Sequence, residues 1–121
     1  MSDQGKHQNN KIDYIEFPAK SVAELNATQR FYNQIFGWEH TMYGEDYADT
    51  ADSGVYSGIN AENPQTATLV VVYALNLQDT YDRVVAAGGE ITKDIFEFPG
   101  GKRFHFEDPA GNQLAVWSDK D

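Results

Sequence analysis

Ile12-Asp13-Tyr14-Ile15-Glu16-Phe17 alternates as a half-buried β-strand must, with Ile12, Tyr14 and Glu16 on one side and Ile15 and Phe17 on the other. Pro18 ends the run. Ser21-Val22-Ala23-Glu24 then has the form of a capping box, in which the Ser hydroxyl and the Glu carboxylate satisfy backbone donors around the first helical turn. In the helix that follows, Val22, Leu25, Tyr32 and Ile35/Phe36, with Thr28 between them, form one stripe to be buried, while Glu24, Arg30 and Asn33 are left to water. Gly37 is placed to take the left-handed conformation that stops it. Turn signals then separate short strands predicted over 38–42, 47–51 and 55–59.

The same grammar recurs after a polar connection over 60–66. Thr68-Leu69-Val70-Val71-Val72-Tyr73-Ala74 is almost wholly apolar and predicts a central strand covered on both faces. Asn76 can cap a second helix, Asp79 favours its dipole, and Leu77, Tyr81, Val84, Val85 and Gly88 make its stripe. Gly88-Gly89 stops it. A strand within 90–98, a hairpin turn at Pro99-Gly100-Gly101, an alternating strand over 102–107, a tight turn at Asp108-Pro109-Ala110-Gly111 and a last strand over 113–117 complete the pattern.

The expected fold is therefore α+β, built from two βαβββ modules at about 11–60 and 67–119. Neither module is large enough to bury its own apolar face, so the two should share a core within one domain over 11–119, their mixed sheet curving around a cleft. Residues 1–10 are polar and predict a flexible tail, in which His7 has no expected role.

Composition narrows the function. The chain has no cysteine, which removes disulfides, thiolate metal sites and a cysteine nucleophile together. Nine Lys and Arg against nineteen Asp and Glu give a formal charge of −10, which repels nucleic-acid backbones and anionic membranes. The acidity has two readings, attraction of a cationic ligand or plain solubility. No apolar stretch is long enough to span a membrane and the N-terminus lacks a secretion signal, so a cytoplasmic protein is expected.

Three stretches carry a family resemblance: Phe31-Tyr32-Asn33-Gln34-Ile35-Phe36-Gly37-Trp38, Ala86-Ala87-Gly88-Gly89 and Phe106-Glu107-Asp108-Pro109-Ala110-Gly111-Asn112. In this order and spacing the chain resembles the vicinal oxygen chelate superfamily of glyoxalases, bleomycin-resistance proteins and ring-cleaving dioxygenases, over about residues 12–117. The resemblance implies the fold of two βαβββ modules, a homodimer, and in the family's enzymes a divalent metal held by His and Glu side chains on four strands. Carried over one at a time, those positions fall on Tyr14, near Leu69, on Ala115 and within 55–58, a segment with no carboxylate or histidine. Such residues do not supply the three ligands a catalytic metal usually requires, so no metal and no cofactor are expected.

Strand alternation names the remaining polar candidates. Tyr14 and Glu16 share one face of the first strand, and Gln113, Ala115 and Trp117 share one face of the last. Arg103, His105 and Glu107 oppose Phe104 and Phe106 on theirs, and alternation alone does not fix which set enters the cleft; apolar pairing argues for the Phe side chains in the helix-backed core and for Arg103 and His105 facing the ligand. Tyr43, Tyr47 and Tyr56 can line the cleft or simply suit a pleated surface. The expected ligand-binding cleft is Tyr14, Glu16, Tyr56, Arg103, His105, Gln113 and Trp117.

Two functions compete. One is a small-molecule-binding protein for a cationic or aromatic ligand, with an acidic, aromatic-lined groove and a homodimeric assembly. The other is a metal-independent lyase or isomerase in which Glu16 and His105 are catalytic, transferring protons. For each of these two residues a structural role stands beside the chemical one: a hydrogen-bonded sheet histidine, and a Glu16–Arg103 pair.

Overall fold

A computed structural model of the protein describes residues 7–120, in the order β1 (Lys11–Pro18), α1 (Val22–Phe36), β2 (Thr41–Met42), β3 (Tyr47–Thr50), β4 (Tyr56–Asn60), β5 (Leu69–Tyr73), α2 (Leu77–Ala86), β6 (Glu90–Phe98), β7 (Gly101–Glu107) and β8 (Gln113–Ser118). The α+β class, the mixed strand pairing and the doubled βαβββ order are those expected from sequence. The described residues group into two compact units, one of residues 14–69 and the other of residues 7–13 with 70–120.

In the unit of residues 14–69 the strand order is β2-β3-β4-β1, with β1 parallel to β4 and the other pairs antiparallel. Ser21 Oγ accepts the Glu24 N–H at 3.1 Å, and the Glu24 carboxylate reaches back to the Lys20 N–H at 2.8 Å, so α1 starts on a reciprocal cap. It stops at Gly37, whose φ of 80° is the left-handed conformation glycine adopts at least cost. Leu25 is wholly buried with Ala19, Ala48 and Ile59, and Tyr32 packs against them; that burial of Leu25 stabilises by roughly 2 kcal/mol.

The rest of the expected α1 stripe is not buried. Val22, Ile35 and Phe36 are exposed, as is Phe31. The helix is held instead through Leu25 and Tyr32, with Phe36 packing beside Tyr32 and Trp38. The strand expected over 38–42 is shorter, Thr41–Met42.

In the unit of residues 7–13 and 70–120 the order is β5-β8-β7-β6, with β5 parallel to β8 and the others antiparallel. Asn76 Oδ1 accepts the Asp79 N–H at 3.0 Å, starting α2. Leu77 of α2 is buried with Ala74, Phe104 and Val116, and Tyr81, Val84, Ile91, Ile95 and Phe106 pack against them. Val85 of the expected stripe is exposed, and Val70 and Val72 are only half-buried, so β5 is fully covered on one face and not on both.

Two register irregularities in β6, between Ile91 and Lys93 and between Lys93 and Phe96, set the other face. A bulge reverses which side of the sheet the next residues address. Ile91 and Ile95 therefore pack under α2, while Lys93 pairs with His105 and Phe96 with Arg103.

Residues 1–6 of the expected tail lie outside the described residues. His7 to Asn10 are held by specific bonds: the Asn10 N–H donates to the Tyr73 carbonyl at 2.8 Å and Asn9 Oδ1 accepts the Leu75 N–H at 2.7 Å.

Candidate functional site

The expected site residues divide between the units. Tyr14, Glu16 and Tyr56 belong to residues 14–69, and Arg103, His105, Gln113 and Trp117 to the other unit. Each set is a sheet face turned away from its helix.

On the first, parallel pairing sets Tyr14 opposite Tyr56 and Glu16 opposite Gly58, while β3 sets Tyr47 opposite Asn60. Tyr56 is half-buried. The Tyr14 and Tyr47 hydroxyls are 2.6 Å apart, and Tyr47 donates to Glu16 Oε2 at 2.9 Å. A phenol has one proton to give. Tyr47 gives its proton to the carboxylate, so Tyr14 must donate to Tyr47, and the chain runs Tyr14 to Tyr47 to Glu16.

Asn60 closes the other side, its Nδ2 donating to Glu16 Oε1 at 3.3 Å and to the Asn63 carbonyl at 3.2 Å, while its Oδ1 accepts the Glu62 and Asn63 N–H groups. Glu16 is thus 4% exposed yet served by two donors, as a buried carboxylate requires. Burial first, then the Glu16 carboxylate and the Tyr14 hydroxyl, push the Tyr47 phenol far above its ordinary range, so it stays protonated. The hydroxyl pair rests over Gly58, where a Cβ would lie 2.1 Å from the Tyr14 oxygen and 2.4 Å from that of Tyr47.

On the second face, Arg103 lies between Phe96 and Trp117 in register, and His105 between Lys93 and Ala115. Phe104 and Phe106 pack under α2, so the expected division of β7 into a Phe core face and an Arg103/His105 face holds. Lys93 Nζ stands 4.5 Å from the Phe96 ring centre, and the Arg103 guanidinium 5.4 Å from the centres of both Phe96 and Phe98. His105 is 1% exposed, and its Nε2 has no hydrogen-bond partner among the described residues. Burial, then the charges of Arg103 and Lys93, lower its pKa to about 4, leaving the ring neutral. Gln113 donates to Glu107 at 3.3 Å.

Trp117 lies in a nest of rings, edge-on to Tyr73 at 5.1 Å and to Phe98 at 6.0 Å, with its indole N–H donating to Asp13 Oδ1 at 3.1 Å. His7 completes this nest, and nothing in the sequence marked it, since its neighbours are polar and its partners lie more than sixty residues away apart from Asp13. Tyr47 and Asn60 were also missed as a pair. Their meeting with Glu16 depends on the β3–β4 register, which a single sequence does not specify.

The positions to which family metal ligands were carried over are filled by groups unsuited to a divalent ion. Leu69 and Ala115 are wholly buried and have no donor atom, the Tyr14 hydroxyl is bound to Tyr47, and β4 offers Tyr56, Ser57 and Gly58. Among the described residues no three His, Asp or Glu side chains converge as a metal set, and no helix is long and apolar enough to cross a membrane.

The sequence profile of the Glyoxalase/Bleomycin resistance protein/Dioxygenase superfamily matches residues 11–116. Among solved structures, hypothetical protein BH1468 from Bacillus halodurans C-125 matches with a TM-score of 0.71 at 11% identity, covering 94% of this chain and 97% of that one. The Mn(II)-bound glyoxalase from Novosphingobium aromaticivorans gives 0.66 at 21% identity over 93% of this chain and 40% of its own. Methylmalonyl-CoA epimerase from Streptomyces coelicolor gives 0.65 at 15% identity, over 92% and 98%. Likeness at these identities is one of fold. No curated protein sequence matches the chain.

Proposed function

Because the chain belongs to the glyoxalase/bleomycin resistance protein/dioxygenase superfamily while Tyr14, Leu69 and Ala115 occupy the positions expected to hold a metal, we propose that it binds a cationic or aromatic small molecule without a metal. The observation that carries this reading is the hydrogen-bond chain from Tyr14 through Tyr47 to Glu16. It commits the first of those positions to an internal network whose protons all point toward a buried carboxylate. With its proton given to Tyr47, Tyr14 meets a ligand as an acceptor, which suits an ammonium or other N–H donor. In the other unit the half-buried rings of Phe96 and Phe98 are a separate feature, apolar area for stacking.

A thermal-shift screen of cationic aromatic compounds tests the proposal. A hundredfold excess over the dissociation constant adds about 2.7 kcal/mol to stability, and the effect should weaken with salt. Silence across the whole set overturns it. The reading carries with it the homodimer that the resemblance implies, and a monomer mass by sedimentation equilibrium would remove that part.

The Nε2 of His105, which has no hydrogen-bond partner among the described residues, favours a second reading, a metal-independent lyase or isomerase in which Glu16 and His105 move protons. A hydroxy-ketone substrate turned over by the protein, with activity lost in His105→Ala at an unchanged melting temperature, would establish it. Loss of activity and stability together would make His105 structural. Binding remains the better-supported function, because Glu16 already accepts two internal hydrogen bonds and a histidine with a pKa near 4 is a weak base at neutral pH.

A further inference from the structure

His7 is held as a ligand would be. Its ring stacks on Tyr73 with centres 5.0 Å apart and 25° between planes, and meets Trp117 edge-on at 4.8 Å. Its Nδ1 donates to Asp13 Oδ2 at 2.7 Å, and the other oxygen of the same carboxylate takes the Trp117 indole N–H. Tyr73 in turn donates to Asp119 Oδ1 at 2.5 Å, and Lys120 stands 4.0 Å from that carboxylate. Two electron-rich rings and a carboxylate aimed at the ring nitrogen are the elements by which proteins recognise a flat, N–H-bearing heterocycle or its cation. Little of this recess is open while His7 fills it, Tyr73 being 2% and Trp117 5% exposed.

The backbone that delivers His7 is a turn. The Lys11 N–H donates to the Gln8 carbonyl at 3.2 Å, and Asn10 takes a φ of 64°, the one non-glycine positive value among the described residues. Asparagine tolerates that conformation better than most side chains. Asn9 and Asn10 then fasten the turn to Leu75 and Tyr73.

We propose that Tyr73, Trp117 and Asp13 form a receptor for an imidazole-like nitrogen heterocycle, and that His7 occupies it in cis, competing with the free ligand. This inference rests on the small-molecule-binding reading in taking Trp117 as a ligand contact, and it adds the chemical class. A tethered occupant acts at an effective concentration of around millimolar or more, so a free heterocycle must exceed that competition before it binds.

The test uses Trp38→Phe as background, leaving Trp117 the sole tryptophan as reporter, and imidazole as the probe. With His7→Ala added, imidazole should quench or shift the fluorescence saturably, with a dissociation constant at least tenfold below that of the background protein. Asp13→Asn added to His7→Ala should weaken it tenfold again. Equal imidazole affinity with and without His7 overturns the inference, as does indifference to Asp13. If His7→Ala proves too unstable, His7→Gln gives the second comparison, and displacement of the His7 ring resonances by imidazole in the unmodified protein gives a third. A positive cationic-aromatic screen combined with no effect of His7 removal defeats this inference and leaves the broader reading standing; silence in both defeats both.

Discussion

Tyr47 donates its hydroxyl proton to Glu16 Oε2 at 2.9 Å and takes one from Tyr14 at 2.6 Å. The central phenol is therefore both donor and acceptor, and it cannot be replaced by a ring without an oxygen at no cost.

Tyr47→Phe removes one of the donors to the buried Glu16 carboxylate and the acceptor of Tyr14. Leaving buried polar groups short of a partner costs about 1–3 kcal/mol. Urea unfolding of the two proteins measures it. A change below a few tenths of a kcal/mol would mean that water or another group already serves the carboxylate.

Gly58→Ala places a methyl group where the two hydroxyls now stand, 2.1 Å and 2.4 Å away. Neither ring can withdraw without breaking the chain to Glu16, so a loss of about 1–3 kcal/mol is expected. In a Tyr14→Phe/Tyr47→Phe background much of that conflict is gone, and the cost of Gly58→Ala should shrink. A double-mutant cycle reads this as coupling; strict additivity would contradict the geometry.

His105 sets an acid limit on stability. Its pKa is about 4 in the fold against 6.5 for the ordinary side chain, so between these values the unfolded chain binds more protons than the folded one. The stability contribution is complete above about pH 6.5 and is lost as pH falls toward 4, by at most about 3 kcal/mol. Unfolding of the protein and of His105→Gln from pH 7 to pH 4 should show the two curves converging or crossing as the pH drops. Parallel curves would mean that the ring is not held neutral.

Chelation should leave the protein unchanged. With Leu69 and Ala115 donorless and Tyr14 engaged, a melting curve in excess EDTA should overlay the untreated one, and elemental analysis should find well under one Mn, Fe, Ni or Zn per chain. A melting temperature that falls with EDTA and recovers with one of these ions would restore a metal to the site.

The strand and helix grammar was legible because it is local. Ser21, Gly37 and Asn76 cap or stop helices through partners within five residues, and the Phe104/His105 alternation on β7 follows from strand geometry alone. The α1 stripe misled because periodicity reports which residues share a helix face and says nothing of how much of that face is covered; Ile35 and Phe36 keep the period and are still exposed. Site assembly was less legible because it depends on register. Phe96 reaches the Arg103 face only through the β6 irregularities, Tyr47 meets Glu16 only through the β3–β4 pairing, and His7 reaches Trp117 only because Asn10 turns the chain. Tyr14, Glu16, His105 and Trp117 could be placed on their strand faces from sequence, since each sits at a defined step along its own strand.

The glycine beneath the two phenols also bears on any attempt to convert this scaffold into a chelating enzyme. A carboxylate grafted at position 58 would strike the Tyr14 and Tyr47 hydroxyls before it reached an ion, and truncating those tyrosines would take the Tyr47 donor from Glu16. The retrofit therefore has no harmless first move at this position: room for the new side chain has to come from the two phenols, and with them goes a donor to the buried carboxylate.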